Sequence, residues 1–384
     1  MSKYDFALEE FQQRQARVRA EMAATGIDLL LVLSPVNVNY LIGCRAKGYQ
    51  ELQMLFFTLE GGPLTYLARL PEVPEATELS LAEDVRGWGG RNREAAVDVV
   101  KQILEEKGYL KRRIGLEVPQ YYLHPHDYLK LKNVLGDSLV VEPTNLIQDL
   151  KTVKSPAEIA YMRKAANMAD AGMQTAVDTI AEGKTELEVA AEVHRTIMAL
   201  GSDAPSSPMN FCTGERSCYA HGAPSERKLG RGDFMHIQFG PSYKRYSATI
   251  GRQLCLGKAT SRMKEVYQVA RDATDAALAQ IKGGVPGIRV HEAAKKVIAG
   301  AGMEQYRLHM TGYVVGPAFP PSFVDAVVID EDSAAILKPG MIVTVEPPLF
   351  GLQDKIGVRL IENVLVTETG GEVLAKFPRD LIVL

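Results

Sequence analysis

The 384-residue sequence predicts two domains, a smaller α/β domain over residues 1–150 and an α+β domain over residues 151–384. Three observations predict this. The chain is too long for one ordinary hydrophobic core. Its first 150 residues alternate short apolar runs with helical periodicity, the pattern of strands interleaved with helices. The remainder sets long, well-capped helices beside separate strand-like segments.

In the first domain, residues 5–25 carry helical spacing. Ile27-Asp28-Leu29-Leu30-Leu31-Val32-Leu33 is a short apolar run stopped by Ser34-Pro35, which suits a buried strand. Further strands are expected at 54–59, 64–68, 113–117 and 138–142, and helices at 93–107 and 124–134, giving a mixed sheet. The boundary falls near residue 150, just before Lys154-Ser155-Pro156-Ala157-Glu158. Here Ser155 is a helix N-cap, Pro156 takes the first helical position and Glu158 closes a capping box. Thr185 and Glu188 repeat that logic for a second helix ending at Gly201. Helices follow near 261–281 and 288–301. Strand-like segments lie at 233–239, 245–256, 341–346 and 358–367.

Composition narrows the function classes. A formal net charge of −3 and a pI near 6.2 leave no basic footprint for nucleic acid. No apolar run approaches the roughly 20 residues of a membrane span, and residues 1–5 lack a signal-peptide core. Cys44, Cys212, Cys218 and Cys255 fall in no CxxC spacing. They read as free thiols in a reducing compartment, so a cytoplasmic protein is expected.

Four stretches in order give the second domain a family resemblance: Val153-Lys154-Ser155-Pro156; Ala220-His221-Gly222-Ala223-Pro224 with Leu229-Gly230-Arg231-Gly232-Asp233; Leu337-Lys338-Pro339-Gly340 running to Glu346-Pro347; and Val358-Arg359-Leu360-Ile361-Glu362-Asn363. The domain resembles the pita-bread fold of methionine aminopeptidases, proline-specific peptidases and creatinase. The first domain, with Asn39-Tyr40-Leu41-Ile42-Gly43, looks like the creatinase-type N-terminal domain. The resemblance implies a pita-bread catalytic domain behind a smaller α/β domain.

Peptidases of that superfamily hold two divalent metals with two Asp, one His and two Glu. Carried over residue by residue, the two Asp positions fall at Gln238 and Thr249 and the His position at Tyr313. Only Glu346 and Glu362 remain. An amide, a hydroxyl and a phenol do not replace two carboxylates and an imidazole around paired dications. The expectation is therefore a metal-lacking branch with no cofactor, closest to ectoine hydrolase and creatinase. The Gly312-Tyr313 to Pro320-Pro321 stretch and the Phe377-Pro378-Arg379-Asp380 ending resemble the ectoine hydrolases. The guanidinium-binding glutamate of creatinase falls near Gly251, which has no side chain.

His221 stands at the family's position for a histidine beside the scissile bond, and imidazole suits proton transfer near neutral pH. If Glu346 and Glu362 face one pocket, their repulsion is relieved by a cationic guest such as an amidinium or guanidinium. One of them could also act as nucleophile. The alternative for the glutamates is an internal ion pair with Arg359 or Arg252. The remaining candidate substrate contacts are Gln238, Thr249, Tyr313 and Arg359. In these relatives a loop of a partner subunit also meets the substrate carboxylate. Arg45, Lys47 and Tyr49 occupy that region, so a homodimer is expected, though the loop also reads as a solvated charged turn. His236 lies two residues before Gln238, on the same strand face. His124, His126, His194, His291 and His309 call for no special role.

Three readings compete. The first is metal-independent hydrolysis of a C–N bond in a small zwitterionic amidine, guanidine or amide. The others are a metal-dependent Xaa-Pro peptidase and an inactive binding module of the same fold.

Overall fold

The computed structural model describes residues 4–90 and 95–384, in two compact units that divide at Leu150/Lys151. Positions 93 and 94 of the expected 93–107 helix, and residues 1–3, lie outside the described residues.

The first unit runs α1 (Leu8–Thr25), β1 (Leu29–Val32), α2 (Pro35–Ile42), β2 (Met54–Thr58), β3 (Thr65–Arg69), α3 (Val73–Leu79), β4 (Asp84–Trp88), α4 (Ala96–Glu106), β5 (Ile114–Leu116), α5 (Pro125–Leu135), β6 (Leu139–Val141) and α6 (Leu146–Lys151). Its sheet is mixed, in the order β4-β3-β2-β1-β5-β6, with β1 antiparallel to β2 and parallel to β5. Leu30 and Val32 face one core and Leu29 and Leu31 the other, so the central strand is apolar on both sides. Four elements have no counterpart in the sequence reading: α2, α3, β4 and α6. The first begins where Pro35 was expected only to stop a strand. Pro35 instead opens a helix, and the buried carboxylate of Glu117 accepts from the amides of Leu33 and Ser34 at 2.7 and 2.8 Å, holding the turn.

The second unit contains α7 (Pro156–Thr179), α8 (Glu186–Ala199), β7 (Asn210–Thr213), β8 (Phe234–Phe239), β9 (Ser242–Tyr243), β10 (Tyr246–Ser247), β11 (Ile250–Cys255), α9 (Ser261–Leu278), α10 (Gly287–Gly300), β12 (Gly312–Phe319), β13 (Ser322–Ile329), β14 (Ile342–Val345), β15 (Glu362–Val366), β16 (Gly371–Val373) and β17 (Ile382–Val383). One sheet has the order β16-β15-β14-β12-β10-β9, with β13 also on β12. The other is β17-β11-β8-β7. Helices α7 and α8 bury their apolar faces against β8 and β11, and α9 and α10 bury theirs against β12, β14 and β15. The unit thus has two halves with separate cores, and an antiparallel bridge between Gly251 and Ile361 joins their strands. The β12–β13 hairpin had no counterpart in the sequence reading.

Strand β8 shows how the fold makes a polar pocket. Met235, Ile237 and Phe239 enter the α7/α8 core, so the period of two sends His236 and Gln238 to the opposite face.

Both capping boxes form. Ser155 Oγ accepts from the Glu158 amide at 3.2 Å, and Glu158 Oε2 accepts from the Ser155 amide at 2.8 Å. The second oxygen of Glu158 accepts from Tyr246 Oη at 2.7 Å, tying α7 to β10. Ser155→Ala is expected to lower the unfolding free energy by about 1 kcal/mol, read as an earlier urea midpoint at unchanged slope. An unmoved midpoint would show that the cap contributes nothing.

Candidate active site

A cavity of about 140 Å3 lies in the second unit, lined among others by Asn210, His221, Gln238, His309, Tyr313, Phe323, Glu346 and Arg359. Asn210, His221 and Gln238 come from the α7/α8 half, and the others from the second half.

His221 sits on a loop that leaves β7 and returns towards Leu229. Glu186, fully buried at the start of α8, holds both arms of that loop. Its Oε1 accepts from the Thr213 amide and hydroxyl at 3.1 and 2.7 Å, and its Oε2 from the Ser225 amide and hydroxyl at 2.9 and 2.6 Å. The Arg216 guanidinium also donates to Oε2. The imidazole of His221 itself is exposed at the cavity mouth. Desolvation by the surrounding protein, then the positive Arg359, lowers its pKa, with Glu346 acting weakly the other way. His221 is therefore a neutral base near pH 7. The ring of His309 meets it edge-on, with centroids 5.7 Å apart.

Arg359 is the buried centre of the cavity, only 1% exposed. One guanidinium nitrogen donates to Gln238 Oε1, which also accepts from Asn210 Nδ2 at 2.8 Å. Its Nε and Nη2 have no hydrogen-bond partner. Phe350 lies under the guanidinium at 5.0 Å. Glu346, likewise 1% exposed, has Oε1 without a partner. Burial, with the Glu346 carboxylate next, raises the pKa of the Tyr313 phenol well above its ordinary value. Tyr313 is therefore a proton donor. The cavity thus offers an unsatisfied cation, an unsatisfied carboxylate and a phenol, with an imidazole at the opening.

The structure corrects the placement of Glu362. It does not line the cavity, and its Oε1 accepts from Arg252 Nη2 at 2.9 Å in a fully buried ion pair. Burial pushes its pKa up to about 7 against the pull of Arg252 and Arg379. The reason is strand parity. Arg359 lines the cavity, and in an extended chain the residue sharing its face is Ile361; Glu362 points the other way. Ile361 packs so closely that a Cβ on Gly251 would lie 2.7 Å from its Cγ1. No glutamate fits at 251 either. Thr249 is also absent from the lining: its hydroxyl accepts from Asn363 Nδ2 at 3.1 Å, and its amide donates to Asn363 Oδ1 at 2.6 Å. His236 shares the Gln238 face but is fully buried behind the cavity, with Nε2 3.1 Å from the Tyr219 carbonyl. Burial and Arg359 push its pKa down to about 3.

In the first unit, Arg45 pairs with Asp5 at 3.3 Å, Lys47 opens a short 3-10 turn, and buried Tyr49 packs edge-on against Tyr122. His309 and Asn210 are among the lining residues that had no role in the sequence reading. His309 was set aside because its spacing to Tyr313 matched no motif. Asn210 lies on β7, whose strand the sequence reading did not assign; its register with β8, pairing Asn210 with Gln238, is the signal that finds it.

The profile of metallopeptidase family M24 matches residues 160–368, and that of the creatinase/prolidase N-terminal domain matches residues 14–153. The chain belongs to family M24, and its second unit has the pita-bread fold; it is a hydrolase of carbon–nitrogen bonds. It is 30% identical to an Xaa-Pro dipeptidase of Pyrococcus horikoshii, covering 94% of this chain and 96% of that protein. It is 26% identical to the ectoine hydrolase of Halomonas elongata, covering 98% of each. Among solved structures, a prolidase from Thermococcus sibiricus superposes with a TM-score of 0.87 at 25% identity, covering 97% of this chain and 99% of that one.

The family name implies metal, and these residues do not fit it. Of the side chains at the ligand positions, Glu346 is the one carboxylate left in the cavity. Among the described residues, no cluster of three or more His, Cys, Asp and Glu side chains is placed to hold an ion. A buried guanidinium faces the cavity instead, and its charge disfavours a dication there.

Arg252→Met is expected to destabilise the second unit by about 3–5 kcal/mol by stranding Glu362, measured by chemical denaturation. Restoration of most of that loss by Glu362→Gln in the same chain would confirm the pairing. No rescue would mean that Arg252 acts through its hydrogen bonds to the carbonyls of Gly251, Ile361, Phe377 and Pro378 alone.

Proposed function

We propose that this chain hydrolyses a C–N bond in a small zwitterionic compound, an amidine, guanidine or amide, without a metal ion. The observation that carries the reading is the pair of unsatisfied buried groups, Arg359 and Glu346, in one cavity beneath His221. An unpaired buried charge is costly, so each group favours a guest of opposite sign. A substrate carboxylate would take the two free N–H directions of Arg359. A cationic nitrogen would take the free oxygen of Glu346.

His221 then removes a proton from water as it attacks the electrophilic carbon. The same imidazolium returns the proton to the departing nitrogen as the C–N bond breaks. Tyr313, kept protonated, donates to the oxygen or nitrogen on which charge collects. An already cationic amidine carbon needs no Lewis acid. The similarity to ectoine hydrolase supports this substrate class. A metal-dependent Xaa-Pro dipeptidase is the second reading, supported by the Pyrococcus relative and opposed by the donor set. A homodimer with Arg45 and Lys47 of one copy serving the other's site, Tyr49 being buried against Tyr122 instead, and a cytoplasmic setting consistent with four free cysteines, belong to the same proposal.

Activity after exhaustive chelation is expected to match the untreated enzyme; loss that Mn or Co restores would overturn the metal-independent reading. His221→Ala is expected to cut turnover by about 100-fold or more with the thermal midpoint retained, and undiminished turnover would remove His221 from the mechanism. Because its pKa is lowered, His221 loses its basic form only on acidification below the ordinary imidazole value. The kcat/KM profile is thus expected to be flat at neutral pH, with an acid limb below about 6.5. A limb centred above pH 7 would exclude His221 as the base.

A further inference from the structure

The cavity holds only a small head group, yet it does not end at a polar wall. Beside it runs an open groove of about 630 Å3 in the same unit, lined by α8, the 205–209 segment and Pro320–Pro321. Its walls are mostly apolar: Leu187, Ala190, Pro205, Pro208, Met209 and Pro224 are typical. Ser207 and Pro321 line both the groove and the cavity, so the two spaces adjoin at these residues. The segment carrying His221 passes between them, with Ala223 and Pro224 in the groove wall and His221 in the cavity wall.

Resting on the reading of the cavity as the catalytic site, we infer that the groove seats an apolar group of the substrate, so that the substrate is an acylated or alkylated zwitterion rather than a bare one. The head, with its carboxylate and cationic nitrogen, fills the small polar cavity. The bond to be cut lies at the junction, next to His221, and the apolar chain leaves along α8. Two features argue for a substrate chain as occupant. The groove shares Ser207 and Pro321 with the wall of the site, and no Asp, Glu, Lys or Arg side chain lines it. A guest reaching the cavity from this side must place its uncharged end here.

The test uses the full chain and Nδ-acyl-L-ornithines bearing acetyl, butanoyl, hexanoyl or octanoyl groups, with affinity measured by calorimetry. These probes carry an α-carboxylate, an α-ammonium and an amide joined to a chain of adjustable length. Affinity is expected to rise about two- to fourfold for each added methylene, the upper figure being full burial of the group. Ala191→Trp, which places an indole from the exposed side of α8 into the groove, is expected to remove that dependence on chain length. Arg359→Met is expected to weaken every member alike. If the acetyl compound binds and affinity is flat along the series, the inference falls and the reading of the cavity stands. If no member binds, both fall. If Ala191→Trp alters the sedimentation of the protein and leaves the chain-length dependence intact, the groove is a contact between copies and the inference is overturned.

Discussion

The buried guanidinium of Arg359 is the interaction on which the site depends. A charge at 1% exposure survives only if the protein or a guest satisfies it. Gln238 and the Phe350 ring account for part of it. An aspartate at position 238 would carry a charge opposite to the guanidinium; the neutral glutamine accepts one hydrogen bond from it and another from Asn210. With a neutral side chain at 238, the guanidinium favours an anionic group in the cavity. Glu346 preserves the opposite preference a short distance away. The cavity is consequently bipolar, and bipolar guests fit it better than singly charged ones.

The scaffold keeps these groups in place with few moving parts. The lining side chains rise from two halves with separate cores, and their positions follow from strand parity. Gln238 faces the cavity because Met235, Ile237 and Phe239 are committed to the α7/α8 core. Glu186 then fixes one irregular segment, the loop with His221, through hydrogen bonds to both of its arms. A fully buried carboxylate with this many donors anchors both ends of the segment that carries His221.

Much of this was legible in the residues. The capping boxes at Ser155 and Thr185 were readable because their chemistry is local, and the ligand substitutions at Gln238 and Tyr313 because they sit in recognisable motifs. What failed was long-range or parity-dependent. Glu362 was assigned to the cavity by its place in a motif, and a shift of one residue on an extended chain sends it to Arg252 instead. Arg252 and Arg359 were both considered as ion-pair partners for the glutamates, and only three-dimensional packing separates their roles. His309 and Asn210 carry no motif at all. They join the site because β7 pairs with β8 in one register and because the chain enters β12 beside the His221 loop. The α2 helix was missed for a different reason: a proline after a serine ends a strand and starts a helix with the same two residues.

Overall similarity does not choose between the substrate classes, since an Xaa-Pro dipeptidase and an ectoine hydrolase are matched at 30% and 26% identity over nearly the whole chain. The proposed choice rests on the residues of the cavity. A neutral peptide bond is poorly electrophilic and calls for a strong polarising centre at its carbonyl oxygen, which paired dications supply. Here the donors in the cavity are a phenol and a guanidinium, Tyr313 and Arg359. Donors of that kind suffice when the carbon is already activated by its own positive charge, or when a precise fit at a remote apolar group contributes binding energy to the transition state. The bipolar cavity provides for the first condition and the adjoining groove for the second, which is why both features point to the same kind of substrate.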